Sequence, residues 1–393
     1  MSGETNERAA DLIIVGGGVI GCSAAFYAAK RGLKVIVIDG GSVGGEASGA
    51  AAGMLGAQGE MLHGGPLFPL ARRSRAMFPA LVEELEALSG ISVGYVNEGM
   101  LKPAFDGETR ETLLAGAAFQ RNEGERAEWL EPEEVLTMEP RLSRSLLGAL
   151  YLPSDGQVSA PELTRAYVYA AKALGAAVRE YEPALELLMD YGRCRGIRTP
   201  RKTYYGNEIV LACGAWASVW LNSQGLDSIE SIPIKGECLM LQSAEPLITR
   251  TVFSRGCYLV PKRGNRTLIG ATSYEGCTDR SLTVNGVQQL LNAACSVVPS
   301  VQQASWERGW TGIRPGTEDG LPVIGRHPQA EGLLAAYGHY RNGILLSPVT
   351  GELIAELAAG RSEEELGIGA FGFGRNAAGE QVKPKHSKEA AYP

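Results

Sequence analysis

Glycines near the start of the chain are spaced in a way that suits the binding of a phosphate group. The residues GGGVIG at 16–21 match the pattern G-x-G-x-x-G, in which backbone N–H groups at the start of a helix approach a pyrophosphate. Asp39 follows about 20 residues later, as the dinucleotide-binding pattern requires. Its carboxylate can accept hydrogen bonds from ribose hydroxyls and would repel a 2′-phosphate. The sequence therefore predicts a site for FAD or NAD, and this pattern alone leaves the two open.

The residues around the glycines are predicted to form a strand, a helix and a second strand. Residues 11–15 and 34–39 are short apolar runs rich in β-branched side chains, as in buried strands. Between them, residues 19–30 are rich in small side chains suited to a helix that packs on a sheet, and Gly32 ends it. A βαβ unit of this kind has parallel strands and a right-handed crossover. The predicted fold class is α/β, with a Rossmann-type domain.

Apolar periodicity predicts further helices and strands along the chain. Helices are predicted at 70–88, 109–124, 131–138, 161–174, 284–298 and 350–359. Strands are predicted at 99–105, 177–181, 206–212, 232–242, 257–261, 267–271 and 333–336. The three runs between 232 and 271 alternate in the manner of antiparallel strands. The tail after about Phe373 is polar and is expected to be disordered.

Composition and charge exclude several classes of protein. The 393 residues carry a net charge of −7, with acidic and basic residues interspersed, so nucleic acid is not an expected partner. The 7 cysteines include no Cys-x-x-Cys pair, which indicates free thiols in a reducing cytoplasm. Glycines interrupt the apolar stretch 12–29, so no membrane segment is expected. His63, His327, His339 and His386 are the only histidines, and they predict no metal site.

Seven segments, in order, resemble the D-amino-acid oxidase and sarcosine oxidase superfamily of FAD-dependent oxidoreductases. They are GGGVIG at 16–21, EASGAAAGMLG at 46–56, VLACGAWAS at 210–218, IKGECL at 234–239, CYLVP at 257–261, GWTGIRPGTEDGLPVIGRHP at 309–328 and GHYRNGILLSPVTG at 338–351. The last two are typical of amine-oxidising flavoproteins. The KGEC and CYLVP segments resemble the branch of glycine oxidases that serve thiamine biosynthesis.

The resemblance implies that the cofactor is FAD and that three parts of the chain hold it. The implied cofactor-binding residues are Gly16, Gly18, Val19, Ile20, Gly21, Asp39, Gly40, Ala47, Ser48, Ala52, Gly53, Met54, Ala184, His339, Tyr340, Arg341, Asn342, Gly343, Ile344 and Leu345. Relatives often carry Glu at the position of Asp39, so the shorter side chain implies a longer or water-bridged ribose contact. Monomeric sarcosine oxidases attach FAD to a cysteine near the position of Arg314. Since the last cysteine here is Cys295, FAD is expected to be non-covalent.

The resemblance implies three catalytic and substrate-binding residues, Arg314, Tyr258 and Arg341. Arg314 would pair with the substrate carboxylate, because a planar guanidinium donates two parallel hydrogen bonds. Tyr258 would add its hydroxyl, and Arg341 would contact the substrate at the flavin face. Both arginines are expected in loops. A structural salt bridge for Arg314 and core packing for Tyr258 remain open as alternatives.

The implied reaction is oxidative deamination of glycine or of another small amine such as sarcosine, D-alanine or D-proline. The imine would hydrolyse to a keto acid, glyoxylate from glycine, and ammonia, while oxygen would be reduced to hydrogen peroxide. Glycine imine would also supply the thiazole moiety of thiamine. A dehydrogenase that passes electrons to another carrier, and a flavin-binding protein without turnover, remain open. Substrate size is not fixed, because one methylene changes binding by only about 1–3 kcal/mol.

The resemblance also implies a homotetramer of subunits with two interwoven domains. The FAD-binding domain is expected to comprise 1–90, 146–230 and 308–370. The substrate-binding domain, an inserted antiparallel sheet with helices, is expected to comprise 91–145 and 231–307. A disordered tail is expected at 373–393.

Overall fold

The computed structural model describes residues 9–375, which form two sheets with helices packed on them. The strands are β1 (Ala10–Val15), β2 (Val35–Ile38), β3 (Met54–Leu55), β4 (Met100–Ala104), β5 (Glu128–Leu130), β6 (Gly148–Leu152), β7 (Gly156–Gln157), β8 (Ala177–Arg179), β9 (Glu186–Asp190), β10 (Arg193–Arg198), β11 (Thr203–Leu211), β12 (Ile232–Gln242), β13 (Thr251–Ser254), β14 (Cys257–Lys262), β15 (Arg266–Gly270), β16 (Tyr274–Glu275), β17 (Ser305–Gly316), β18 (Val323–Arg326) and β19 (Leu333–Tyr337). The α-helices are α1 (Val19–Lys30), α2 (Ala47–Ala50), α3 (Leu67–Ser89), α4 (Gly107–Asn122), α5 (Pro132–Met138), α6 (Ala160–Ala173), α7 (Ala217–Ser223), α8 (Val284–Val297) and α9 (Gly343–Ala358). In this part of the chain, no helix combines the length and apolar character needed to cross a membrane.

The first sheet contains the predicted βαβ unit. Its strands run in the order β18-β19-β11-β1-β2-β8, with β10 and β9 added through β11. Strand β1 pairs in parallel with both β2 and β11, so that Ile14 lies beside Val37 and Val210. All three side chains are fully buried, as expected of a parallel sheet covered on both faces. The parallel unit predicted around the glycines is confirmed.

The second sheet is largely antiparallel. Its order is β16-β12-β15-β14-β13-β4-β6-β5, and β17 pairs with β12 along the other edge. It has its own core, in which Leu239, Leu259 and Ile269 are fully buried. The predicted combination of a Rossmann-type α/β domain with an antiparallel-sheet unit is therefore confirmed.

Strand pairing differs from the predicted domain boundaries at two points. Strand β6 pairs with β4 and β5, and β17 pairs with β12. The predicted boundaries at 146 and 308 assign β6 and most of β17 to the FAD-binding domain. Local apolar patterns do not reveal which sheet a strand joins, because pairing is decided by distant segments. The division into two domains remains a prediction, with 148–152 and 305–316 placed in the second sheet.

Helix α9 begins at Gly343, seven residues before the predicted start. Pro348 lies inside the helix and lacks the N–H that would bond the carbonyl of Ile344. The hydroxyl of Ser347 donates to that carbonyl at 2.9 Å instead. This side-chain hydrogen bond satisfies the carbonyl that Pro348 leaves without a donor, and the helix continues through the proline. The flavin-contacting segment predicted at 339–345 therefore includes the first turn of α9.

The described part of the predicted tail is packed against the protein. The ring of Phe373 lies edge-on to His327, with ring centroids 4.7 Å apart. Arg375 donates to the carbonyl of Pro322 at 2.6 Å and pairs with Asp319 at 2.8 Å. The predicted start of the tail at 373 is wrong for this reason, and residues 376–393 lie outside the described residues.

Candidate cofactor and substrate site

One cavity of about 520 Å³ is lined by elements of both sheets. It runs past the start of α1, the loop after β2, the α2 region, strands β12, β14 and β17, and the segment before α9. Of the sequence-predicted site residues, all except Gly21 and Leu345 line this cavity. The structure thus brings together segments that are up to about 330 residues apart along the chain.

The glycines at the start of α1 serve distinct structural purposes. Gly16 has φ +110°, and a Cβ there would lie 2.7 Å from the carbonyl carbon of Ala212. A Cβ at Gly21 would overlap the carbonyl oxygen of Gly16, so Gly21 permits close packing without lining the cavity. Gly18 lines the cavity and is the residue that precedes the helix. Only glycine fits at positions 16 and 21, because Gly16 has a positive φ and both positions exclude a side chain.

The N-terminus of α1 is open towards the cavity and can attract an anion. The N–H of Val19 donates to the hydroxyl of Ser48 at 2.9 Å, which ties the α2 loop to the helix. No acidic side chain lies in the first turn of α1, so the positive end of the helix dipole is not neutralised there. These groups suit the pyrophosphate of a dinucleotide.

Asp39 is held rigidly at the end of β2. Its carboxylate accepts hydrogen bonds from the N–H of Gly17 at 2.5 Å and from the N–H of Gly41 at 2.7 Å. A carboxylate has about four lone-pair positions, so acceptor capacity remains for a ribose. Gly40 and Ala184 line the cavity beside it.

The segment before α9 lines the other part of the cavity. His339 is buried, and its Nε2 lies 3.1 Å from the hydroxyl oxygen of Thr350. Burial lowers the pKa of His339 to about 3, which keeps the ring neutral. Leu345 faces the core, and its carbonyl accepts a bond from Ser74 at 2.6 Å. One cavity therefore contains a helix N-terminus for a pyrophosphate, the Asp39 carboxylate as an acceptor for ribose hydroxyls, and an uncharged wall at His339. This arrangement fits an extended dinucleotide such as FAD.

Arg314 lies on strand β17 beside Ile234 of β12, so the prediction that it lies in a loop is wrong. Edge strands accept proline because a ladder donor is not needed on their open side, and Pro315 follows Arg314 here. The guanidinium lies over Gly236, where a Cβ would be 2.5 Å from its Cζ atom. Its Nη1 donates to the carbonyl of Thr272 at 3.2 Å. No carboxylate of residues 9–375 pairs with this guanidinium.

Tyr258 lies on β14 and lines the cavity. The side chain is buried, and its oxygen lies 3.8 Å from the Sγ of Cys238. Burial raises the pKa of Tyr258, an effect that Arg314 and Arg341 only partly oppose. The phenol therefore remains protonated at neutral pH and can donate a hydrogen bond to an anion.

Arg341 lies in the short turn Tyr340–Asn342 and has an acidic partner. Its Nη2 donates to the Oε1 of Glu60 at 3.0 Å. Burial alone would lower the pKa of Arg341, but Glu60 and the neighbouring tyrosines raise it overall. The guanidinium also lies 5.4 Å from the centre of the Phe253 ring, within the range of a cation–π contact.

Sequence reasoning missed three residues that shape this end of the cavity. Gly236 and Cys238 lie in the segment IKGECL, so a signal was present but pointed to no particular residue. Glu60 lies outside all seven resembling segments, and no local pattern marks it. Among the residues that the structure describes, no group of three or more His, Cys, Asp or Glu side chains could hold a metal ion.

Comparison with known proteins gives a consistent picture. The family profile described as "DAO: FAD dependent oxidoreductase" matches residues 11–357. A glycine oxidase from Geobacillus kaustophilus is 47% identical over 368 residues, which cover 93% of this chain and 97% of that protein. The bifunctional protein ThiO/ThiG from Nostoc sp. is 34% identical over 372 residues, 93% of this chain and 55% of that protein. The crystal structure of the G. kaustophilus glycine oxidase superposes with a TM-score of 0.90, covering 94% of this chain and 99% of that one.

Proposed function

This chain belongs to the family of FAD-dependent oxidoreductases, and we propose that it oxidises glycine and other small amines in the cavity described above. The other candidates are sarcosine, D-alanine and D-proline. The products are an imine, then a keto acid and ammonia, with hydrogen peroxide from oxygen. The observation that carries this proposal is a guanidinium, that of Arg314, which has no acidic partner among residues 9–375 and lines the same cavity as the nucleotide-binding segments.

Arg314 is suited to hold the carboxylate of an amino acid. An unpaired guanidinium in a partly enclosed cavity favours an anion with planar, bidentate geometry. The hydroxyl of Tyr258 lines the same cavity and remains protonated, so it adds a donor to the same carboxylate. Fixing the carboxylate orients the α-carbon and restricts the substrate to one pose, which is the main contribution that positioning makes to rate.

FAD would be held by the start of α1, by Asp39 and by the segment before α9. When bound, it supplies a two-electron acceptor for the hydrogen and electron pair of the α-carbon. Glu60, the carboxylate beside the substrate end that the structure describes, is paired with Arg341 and so is not assigned the role of a base. The amine is therefore expected to lose its proton to solvent on binding, and the side chains bind and orient.

Non-covalent attachment of FAD is supported by the state of the nearby thiols. Two thiols, those of Cys213 and Cys238, line the cavity. Burial raises the pKa of Cys213 to about 12 and also raises that of Cys238. Because the thiolate is the reactive form, these cysteines are poor nucleophiles at neutral pH. Acid precipitation should release the yellow colour into the supernatant, and colour retained in the pellet would contradict this.

The cellular setting is part of the proposal. The likeness to a ThiO/ThiG protein and to the thiamine branch of glycine oxidases supports a supply of glycine imine for thiazole formation. All seven cysteines are free thiols, which supports a reducing cytoplasm. A homotetramer is proposed from the family resemblance, and light scattering of the purified protein tests it.

A peroxide assay in air over glycine, sarcosine, D-alanine and D-proline tests the activity. Arg314→Ala should lower kcat/KM by an amount equivalent to about 2–4 kcal/mol, the range for a charged hydrogen bond left unmade. Arg165→Ala, which removes a surface partner of Glu162, is the matched control and should retain wild-type kinetics. Normal turnover by Arg314→Ala would contradict the assigned role. Flavin reduction without peroxide would favour the dehydrogenase alternative.

A further inference from the structure

The two arginines of the substrate end differ in their electrostatic state. Arg314 pairs with no carboxylate of residues 9–375, whereas Arg341 is paired with Glu60 at 3.0 Å. Both guanidinium groups are close enough to Tyr258 to act on its ionisation. Of the two guanidinium groups, therefore, only that of Arg314 faces the cavity without a carboxylate partner among residues 9–375, which matches a substrate with one carboxylate.

We propose that Glu60 is a specificity-determining residue: by neutralising Arg341, it restricts the site to amines that carry a single negative charge. This inference rests on the proposed amine oxidation. Without Glu60, the cavity would present two unpaired guanidinium groups and would suit a substrate with a second anionic group. Glu60 acts through Arg341 and has no part in the oxidation itself.

The ion pair of Glu60 and Arg341 lies at the cavity wall and is partly exposed to solvent. The side chain of Glu60 is 12% exposed and that of Arg341 is 31% exposed, and both residues line the cavity. A carboxylate so placed repels an anionic group that approaches Arg341. Juxtaposed like charges disfavour binding strongly when they are desolvated, so the preference is expected to be large enough to measure.

The backbone next to Glu60 is held in place by hydrogen bonds to buried charged side chains. The N–H of Gly59 donates to Asp155 at 2.7 Å, and its carbonyl accepts from Lys102 at 2.5 Å. Asp155 and Lys102 are both buried, and Asp155 is paired with Arg75 at 2.7 Å. Because buried, satisfied polar networks fix the backbone around them, Glu60 is held against Arg341 rather than free to swing away.

Two substrates that differ only in charge test the proposal. Iminodiacetate is glycine with a carboxymethyl group on the amine nitrogen, and its monoamide has nearly the same shape with one negative charge fewer. The wild-type enzyme should use the monoamide with a kcat/KM roughly tenfold or more above that of the diacid. Glu60→Gln removes the charge at constant size and should shift this ratio towards the diacid by roughly tenfold.

Matched variants show whether the effect is one of charge acting through Arg341. Glu60→Asp keeps the charge and should retain the wild-type order of the two substrates. Glu60→Gln combined with Arg341→Gln should lose the gain for the diacid. Binding gives an independent readout: diglycolate and methoxyacetate, in which an ether oxygen replaces the amine, should perturb the flavin absorbance, with diglycolate bound more tightly by Glu60→Gln than by the wild type.

The outcomes separate this inference from the proposed function. If the wild type oxidises neither glycine nor sarcosine, the proposed function is wrong. If it oxidises glycine but the diacid-to-monoamide ratio is the same in Glu60→Gln, the specificity role of Glu60 is overturned. If Glu60→Gln does not fold or retain FAD, the ratio of kcat/KM values measured on the wild-type enzyme is the test. Equal use of the diacid and the monoamide by the wild type would overturn the proposal.

Discussion

A single methyl group at Gly236 should displace the guanidinium of Arg314. A Cβ built at Gly236 would lie 2.5 Å from the Cζ atom of Arg314, and its three nearest neighbours all belong to that guanidinium. Carbon atoms in contact normally lie about 3.5–4.0 Å apart, so the group must move by about 1 Å. Gly236→Ala therefore perturbs the position of Arg314 without changing its charge.

The magnitude follows from the sensitivity of bound substrates to misplacement. A displacement of about 1 Å in a substrate-positioning group can lower the rate about 100-fold, or about 2.7 kcal/mol. The fold should tolerate the change, because the atoms that must give way are the end of a flexible side chain. Gly236 also has no positive φ, and Ala in a strand interior is more favourable than Gly by roughly 0.5–1 kcal/mol.

The assay is kcat/KM for glycine from peroxide formation, with the thermal midpoint and FAD affinity measured on the same preparation. Gly236→Ala should lower kcat/KM about 100-fold while the other two quantities stay close to wild type. Gly107→Ala is the control, because a Cβ there meets nothing within 4 Å. A kcat/KM for Gly236→Ala within about twofold of wild type would refute the reasoning, since the guanidinium could not then be fixed over Gly236 in the working enzyme.

Two further predictions concern the cofactor end of the cavity. Asp39→Asn should weaken FAD binding by about 1–3 kcal/mol, because the amide turns an NH₂ group towards the N–H of Gly17 or Gly41; recovery of free flavin fluorescence on dilution measures this, and an unchanged affinity would contradict it. For His339, burial lowers the folded-state pKa to about 3, so between that value and the ordinary value of about 6.5 the unfolded state binds more protons. The free energy of unfolding should fall by about 2 kcal/mol between pH 7.5 and 5 on account of this group. Denaturant titrations should show a smaller fall for His339→Gln, and equal falls in the two proteins would exclude this role.

The local features of the first sheet could be predicted from the sequence because they depend on neighbouring residues. Strand β1, helix α1 and strand β2 follow from apolar runs interrupted by glycine, and their parallel pairing follows from the length of the crossover. The predicted site residues line the cavity apart from Gly21 and Leu345, which pack beneath its wall. Gly236 and Cys238 also line it from within a resembling segment, but the sequence did not single them out.

The relations between distant residues could not be predicted. Glu60 and Arg341 are 281 positions apart, and the charge of one changes the chemistry of the other only because the fold brings them together. Arg314 was expected in a loop, since glycine and proline flank it, but it lies on an edge strand whose pairing with β12 places the guanidinium over Gly236. The start of α9 was not predicted because Pro348 normally ends a helix. Here the hydroxyl of Ser347 donates to the carbonyl that Pro348 cannot serve, and this contact is not visible in the sequence pattern.

The most direct test of the central claim compares glycine with methylamine, which lacks only the carboxylate. Each is mixed anaerobically with the purified protein, and the visible absorbance of the flavin is followed. If the unpaired guanidinium of Arg314 holds the substrate carboxylate, glycine should bleach the flavin completely while methylamine at equal concentration leaves it oxidised. Bleaching by both amines at similar rates, or by neither, would contradict the account.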